Sequence, residues 1–158
     1  MVPAIGDFEV ARNLKRVPYP YTDDDARAFL RMADEGWSAG TFFAFAIEHR
    51  ASARLIGGIG CVIGGDEAAA SQVAACGYWL ARSEWGRGYG REALARLVRF
   101  AFHELDPPLA RLEANAHAGN IASQRVLIAC GFEQAGECVE TCAATGQAVR
   151  ALRFELRA

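Results

Sequence analysis

The chain has 158 residues, of which 52% are hydrophobic, and its formal charge at pH 7 is −2. This length and composition predict a single domain over residues 1–158 with a sizeable core. The balanced charge and the lack of a basic stripe argue against nucleic acid as a partner. No apolar run reaches the roughly 18 residues that a membrane span needs, and the N-terminus does not resemble a secretion signal, so we expect a cytoplasmic protein.

The five cysteines are odd in number and lie mostly in apolar surroundings. We therefore expect buried, reduced thiols rather than disulfides. Cys138 and Cys142 lack C-x-x-C spacing, and no second pair accompanies them, so we predict no metal site. No cysteine has a placed His or Asp partner, which argues against a covalent thiol mechanism.

The first part of the chain predicts helices followed by a hairpin. Residues 7–14 have a short helical pattern, and Thr22 is a good N-cap for a helix that we expect to end at Gly36. Residues 41–48 and 55–63 have the composition of strands and predict an antiparallel hairpin. The glycines of the second strand predict a bulge or a close contact with another backbone.

A glycine-rich loop between a strand and a helix is the most informative stretch. The apolar run Val73–Leu80, after an expected loop at residues 64–71, predicts a buried strand, and helical spacing follows to about residue 105. Between them, Gly86, Gly88 and Gly90 let a ligand approach the backbone. The first N–H groups of the helix have no partner within the helix. Such a loop is typical of a phosphate or pyrophosphate site; a flexible turn is the alternative.

The next strand has one polar face. Along Arg111–His117, the apolar side chains Leu112, Ala114 and Ala116 alternate with Arg111, Glu113, Asn115 and His117. Because this strand follows a strand and a helix, it should lie inside the sheet, parallel to Val73–Leu80. A polar row on an inner strand predicts a cleft, and the alternative is a solvated face.

The C-terminal part predicts a helix and a hairpin. Asn120 is expected to cap a helix over residues 121–130 that Gly131 closes. Residues 132–140 and 148–156 then predict a terminal hairpin.

A dinucleotide-binding fingerprint is one interpretation of the loop. Residues 88–93 match G-x-G-x-x-A, and Glu113 has the spacing of the acid that binds ribose. The long connection over residues 81–87, the position of Glu113 inside a strand and the single βαβ unit all disfavour it. It stays as a minor alternative.

Several motifs together resemble the GNAT superfamily of N-acetyltransferases, in particular the branch that contains the ribosomal-protein-alanine N-acetyltransferases. Residues 85–90, WGRGYG, match the family loop Gln/Arg-x-x-Gly-x-Gly/Ala, in which this branch often has Trp first. Residues 77–80, GYWL, resemble the strand that enters this loop. Residues 120–123, NIAS, followed by CGF at 130–132, are similar to the second signature of the branch.

The resemblance implies an α/β (α+β) fold with a central mixed, mostly antiparallel twisted sheet flanked by helices. It also implies an enzyme that moves an acetyl group directly from acetyl-CoA to a primary amine, either a protein N-terminus or a small amine, with no metal. A non-catalytic acyl-CoA sensor is an alternative of a different class. Turnover on a panel of amines and peptides separates the two.

The resemblance also assigns the site residues. Those expected to hold the cofactor are Leu80, Arg82, Arg87, Gly88, Tyr89, Gly90, Arg91, Asn120 and Ser123. Glu113 is the candidate base, with a salt bridge to Arg111 as the structural alternative. Ser123 resembles the residue beside the CoA sulfur, and its alternative role is that of an ordinary first-turn serine. His117 is a weaker base candidate that we expect at the surface.

Family members usually begin with a strand that this chain lacks, so either Met1 is an internal start or the sheet has one edge strand fewer. Residues 41–48 would then form a sheet edge with unpaired N–H and C=O groups. We expect a homodimer, or an N-terminal segment that covers this edge.

Overall fold

The computed structural model describes residues 1–64 and 72–158, so the expected loop at 64–71 lies, beyond Gly64, outside the described residues. The helices are α1 (Val2–Ile5), α2 (Phe8–Ala11), α3 (Asp23–Ser38), α4 (Tyr89–His103) and α5 (Ile121–Ala129). The strands are β1 (Phe42–His49), β2 (Arg54–Ile63), β3 (Val73–Leu80), β4 (Arg111–His117), β5 (Glu133–Cys142) and β6 (Gln147–Arg157).

These strands form one mixed sheet in the order β1-β2-β3-β4-β6-β5. β3 and β4 are parallel and are connected through α4, whereas the β1–β2, β2–β3, β4–β6 and β5–β6 pairs are antiparallel. The sheet is therefore mixed and mostly antiparallel, with helices on its faces, as the sequence predicted. The antiparallel β1–β2 and β5–β6 hairpins are also confirmed.

Different parts of the chain pack on the two faces of the sheet. The main core lies under α4 and α5, where Leu94 and Leu97 of α4 and Leu127 of α5 pack with Leu112 and other buried strand residues. The opposite face is covered by the N-terminal segment: α1 contacts β2 and β3, and the Lys15 carbonyl accepts a hydrogen bond from the N–H that follows β5.

Helix α3 begins as predicted but does not end at Gly36. Thr22 and Asp25 form a capping box, which satisfies N–H groups at the start of the helix. The helix continues through Gly36 to Ser38. A Cβ atom on Gly36 would lie 2.5 Å from Cβ of Phe42, so this glycine is explained by close packing against β1 rather than by helix termination.

Strand β1 lies at one edge of the sheet, and no strand precedes it in residues 1–41. Its rings contact α3 on both faces, with Phe29 against Phe42 and Trp37 against Phe43 and Phe45. The contacts of α1 are with β2 and β3. Helix α3 therefore packs on the side chains of β1.

The glycines of β2 have the close backbone contacts that the sequence predicted. A Cβ atom on Gly57 would lie 2.3 Å from the Trp79 carbonyl oxygen, whereas a Cβ atom on Gly77 in β3 would have no neighbour within 4 Å. We expect Gly57→Ala to lower the free energy of unfolding by about 1–3 kcal/mol, as overpacking does. Gly77→Ala is the matched control and should leave this free energy unchanged or higher. Urea denaturation of both variants tests this, and equal effects would contradict it.

Candidate active site

The two parallel strands separate partway along their length. β3 and β4 pair only where Val73–Ala75 lies beside Arg111–Glu113. Beyond this pairing, β3 continues to Leu80 and β4 to His117 with no further ladder between them in the described structure. A gap therefore opens toward the carboxyl ends of both strands, at the point where α4 begins.

Alternate backbone groups of β3 face this gap. The N–H of Ala81 donates to the carbonyl of Ile56 at 2.8 Å. The backbone N–H and C=O groups of the odd-numbered residues of β3 therefore point toward β2. Because successive residues of a strand point their N–H and C=O groups to opposite edges, those of Cys76 and Tyr78 and the N–H of Leu80 point toward β4. These groups are available to an extended ligand with amide groups of its own.

The connection from β3 to α4 has a defined conformation. After a 3₁₀ turn at Arg82–Glu84, the indole Nε1 of Trp85 donates to the Leu80 carbonyl at 2.9 Å, which ties the loop to the end of the strand. Gly86 and Gly88 have φ angles of 74° and 86°, a region that favours glycine. Gly88 is the N-cap of α4, so the N–H groups of the first helical turn are open to a ligand.

Gly90 has a different role from the other two loop glycines. A Cβ atom there would lie 3.1 Å from the Tyr78 ring, so α4 packs closely on this side chain. The Tyr78 hydroxyl donates to Ser123 Oγ at 3.5 Å, and the Ser123 N–H donates to Oδ1 of its N-cap Asn120 at 3.1 Å. Burial raises the pKa of Tyr78. Tyr78, which the motifs did not single out as a site residue, therefore links the starts of α4 and α5.

A buried carboxylate lies next to the glycine loop. Glu84 is only 2% exposed, and its Oε1 and Oε2 contact Arg54 Nη2 at 2.5 Å and Arg87 Nη1 at 3.3 Å. The motifs predicted Arg87 as a cofactor-binding residue, but they did not mark Glu84 or Arg54. Glu84 lies in a short connection without periodicity, and Arg54 is distant in sequence, so no local pattern marks this contact.

Glu113 lies where the β3–β4 pairing ends, on the sheet face opposite α4 and α5. Its Oε1 is 2.8 Å from Arg111 Nη2, and its side chain is 42% exposed. The salt bridge that was the structural alternative is therefore present.

A second carboxylate on the same face is more buried. Glu140 on β5 is 7% exposed, and it accepts a hydrogen bond from Asn115 Nδ2 at 2.8 Å and contacts Lys15 Nζ at 3.0 Å. Burial acts to raise the pKa of Glu140. The hydrogen bonds from Asn115 and Lys15 and the charges of Lys15 and His117 outweigh it, so the net pKa is lowered.

The prediction that His117 lies at the surface is wrong. Its side chain is 8% exposed, and its Nε2 has no hydrogen-bond partner among the described residues. It ends β4 opposite Ala151 of β6, on the same sheet face as Asn115. The sequence showed its place on the polar face, but not that residues far away in the chain would cover that face.

The structure thus places the predicted cofactor residues in two groups that meet across the gap. Leu80, Arg82, Arg87, Gly88, Tyr89, Gly90 and Arg91 belong to the end of β3 and the start of α4, and Asn120 and Ser123 belong to the start of α5. The Arg91 carbonyl also accepts a hydrogen bond from Cys130 Sγ at 3.6 Å, which joins α4 to the end of α5. Glu113 lies on the other face of the sheet, so it is not part of either group.

The cysteines and the acidic side chains give no sign of a thiol or metal centre among the described residues. All five cysteines are free, and burial raises the pKa of Cys61 to about 11, which disfavours the thiolate. Over residues 1–64 and 72–158, no cluster of three or more His, Cys, Asp or Glu side chains is arranged to hold a metal ion. None of the described helices is both long enough and apolar enough to cross a membrane.

Comparisons with known proteins agree with this geometry. The family model described as "Acetyltransferase (GNAT) domain" matches residues 3–133. The probable N-acetyltransferase YjcK of Bacillus subtilis (strain 168) is 33% identical over 132 residues, which cover 82% of this chain and 70% of that protein.

Two solved structures have the same fold. The ribosomal-protein-S5-alanine acetyltransferase of Vibrio fischeri superimposes with a TM-score of 0.79 at 18% identity, over 98% of this chain and 86% of that one. The spermidine N-acetyltransferase of Vibrio cholerae, in complex with CoA and spermine, gives a TM-score of 0.78 at 17% identity, with the same coverage of both chains. The family model over residues 3–133 and the 33% identity to YjcK show that this chain belongs to the GNAT family of acetyltransferases and is an N-acetyltransferase.

Proposed function

We propose that this chain transfers the acetyl group of acetyl-CoA directly to a primary amine, either a protein N-terminus or a small amine. The observation that carries the proposal is the gap between β3 and β4, which opens at the glycine loop. An extended thioester with a phosphate-bearing end fits this arrangement, because the loop offers N–H groups and the strand offers amide partners.

In this proposal the residues have separate tasks. The N–H groups of residues 87–91 hold the pyrophosphate at the start of α4. The pantetheine arm lies along the gap-facing backbone of Cys76, Tyr78 and Leu80. Ser123, at the start of α5, lies beside the sulfur and donates a hydrogen bond as the thiolate leaves. When bound, acetyl-CoA supplies the activated acetyl group.

The amine acceptor approaches from the other face of the sheet, where Glu113 and Glu140 lie. An ammonium must lose a proton before it attacks, so a carboxylate within reach, directly or through a water, serves as the base. Glu113 is the first candidate and Glu140 the second, the latter with His117 and Asn115 around it.

Two other functions make different predictions. A protein that senses acetyl-CoA would bind it and release no CoA thiol with any acceptor. A dinucleotide-binding domain would bind NAD or NADP at least as tightly as acetyl-CoA. Release of the CoA thiol with a panel of acceptors, including peptides with free N-termini and polyamines, would exclude the sensor. Calorimetry that shows weaker binding of NAD and NADP than of acetyl-CoA would exclude the dinucleotide-binding domain.

The loop assignment predicts a selective loss of affinity. We expect Gly88→Val to weaken acetyl-CoA binding by about tenfold or more, because a side chain at this position enters the phosphate site. Gly40 is the matched control: it also has a positive φ, 67°, and open space around it, but it precedes β1. Gly40→Val should cost similar stability and leave the affinity unchanged. Gly90→Val is unsuitable, because it would also displace Tyr78. Calorimetry that shows equal affinity for both variants would contradict the assignment.

The two candidate bases are separated by their amide variants. We expect Glu113→Gln to lower turnover by about 10²–10⁴-fold, as loss of a general base does, with little change in acetyl-CoA affinity. Ser123→Ala should lower turnover less, since a thiolate is already a good leaving group. Turnover is measured across pH at saturating acetyl-CoA, with Glu140→Gln alongside. Near-normal turnover of Glu113→Gln together with a large loss in Glu140→Gln would assign the base to Glu140.

We also propose a homodimer that pairs two β1 edges. The Ile63 N–H donates to the Thr41 carbonyl at 2.8 Å, so by alternation the backbone groups of Ala44 and Ala46 face away from β2. We expect light scattering to show a dimer whose fraction rises with concentration. Ala44→Pro removes one outward N–H but no β1–β2 hydrogen bond, and it should give a monomer. A wild-type protein that stays monomeric at all concentrations would contradict this proposal.

A further inference from the structure

Two arginines meet at one buried carboxylate beside the glycine loop. Arg54 is the first residue of β2, and Arg87 lies in the loop that precedes α4. Each contacts a different oxygen of Glu84, at 2.5 and 3.3 Å. Their side chains remain 64% and 58% exposed, whereas Glu84 is 2% exposed. The carboxylate is thus buried, whereas the two arginine side chains that contact it are exposed to solvent.

The charges of this contact do not cancel. One arginine would neutralise Glu84, and the second leaves a net charge of about +1. A guanidinium has five N–H donors in a rigid fork. Arg54 Nη2 donates a hydrogen bond to Glu84 Oε1, whereas Arg87 Nη1 contacts Oε2 at 3.3 Å as an ion pair without hydrogen-bond geometry. The remaining donors belong to two largely exposed side chains on different elements. Paired forks of this kind match the oxygens of a phosphate group.

We propose that Arg54 and Arg87 bind a phosphomonoester, the 3′-phosphate on the ribose of CoA, and that Glu84 is the positioning residue that holds them together. This inference rests on the proposed function. The pyrophosphate of CoA takes the backbone N–H groups at the start of α4, whereas Arg54 lies outside that loop, on the neighbouring strand. A second phosphate group is therefore the part of the same ligand that suits this pair.

The charge of the ligand agrees with that of the site. A phosphomonoester carries about −1.5 to −2 at neutral pH and has three strong acceptor oxygens, so it needs more than one guanidinium. Without the Glu84 carboxylate, the two arginines would repel each other and lose their shared anchor. Glu84 therefore acts through the arginines and touches no part of the ligand.

The test compares two acetyl donors that differ only in this group: acetyl-CoA and acetyl-dephospho-CoA, which has a hydroxyl in place of the 3′-phosphate. Dissociation constants are measured by calorimetry on the full chain. We expect the wild type to bind acetyl-CoA at least tenfold more tightly than acetyl-dephospho-CoA. Arg54→Gln should reduce that preference to about twofold or less, by weakening acetyl-CoA alone. Arg27→Gln, at an exposed position of α3, is the control and should keep the preference.

Glu84→Gln tests the positioning role, because it keeps the shape and removes the charge. We expect it to reduce the preference as Arg54→Gln does, and Glu84→Asp to restore part of it. If Glu84→Gln does not fold, the exposed Arg54 variant alone decides. Equal binding of both donors by the wild type would overturn the proposal, and so would an equal loss for both donors in Arg54→Gln. A chain that binds neither donor would instead refute the proposed function.

Discussion

The short pairing between β3 and β4 is the constraint on which the rest of the site depends. Three residues of each strand form a parallel ladder, and both strands then continue without it. Backbone groups that a longer ladder would satisfy are left to face a gap. An unsatisfied buried polar group is costly, so the sheet stays open only where a solvent or ligand group replaces the missing strand partner. The separation is a cost to the fold, and it forms the gap in which we propose that acetyl-CoA binds.

One side chain links the two helices that begin beside the gap. Tyr78 lies between the starts of two helices, with its ring against Gly90 of α4 and its hydroxyl on Ser123 of α5. A large ring between the strands and the helix termini keeps the helices apart at the end where the strands separate. Gly90 permits this packing because it has no side chain, whereas Gly88 is needed for its positive φ angle. The glycine motif therefore meets two different requirements, close packing at Gly90 and a positive φ angle at Gly88. The sequence alone does not distinguish them.

Local patterns predicted much of this architecture. The bounds of β3 and β4 match the prediction, because their alternation and apolar composition are local properties. The fold family followed from two motifs. Long-range packing decided the features that the sequence did not show. Gly36 was expected to end α3, but it instead meets Phe42. His117 was expected at the surface, but the N-terminal segment covers its face. Glu84 has no local signature in the sequence, because its partners come from another strand and from the loop.

The alternation of β4 has a chemical consequence. Ala114 and Ala116 face the core under α4 and α5, and Asn115 and His117 face the opposite side. In the proposed reaction, the donor enters the gap from the side of the helices. It therefore passes the small apolar side chains of Ala114 and Ala116 before it reaches the polar face of β4. In the proposed reaction, the donor and the acceptor approach from opposite faces and meet at the gap. The carboxylates of Glu113 and Glu140 are then kept away from the phosphates of the donor, which they would repel. The sheet itself separates the two sets of charges.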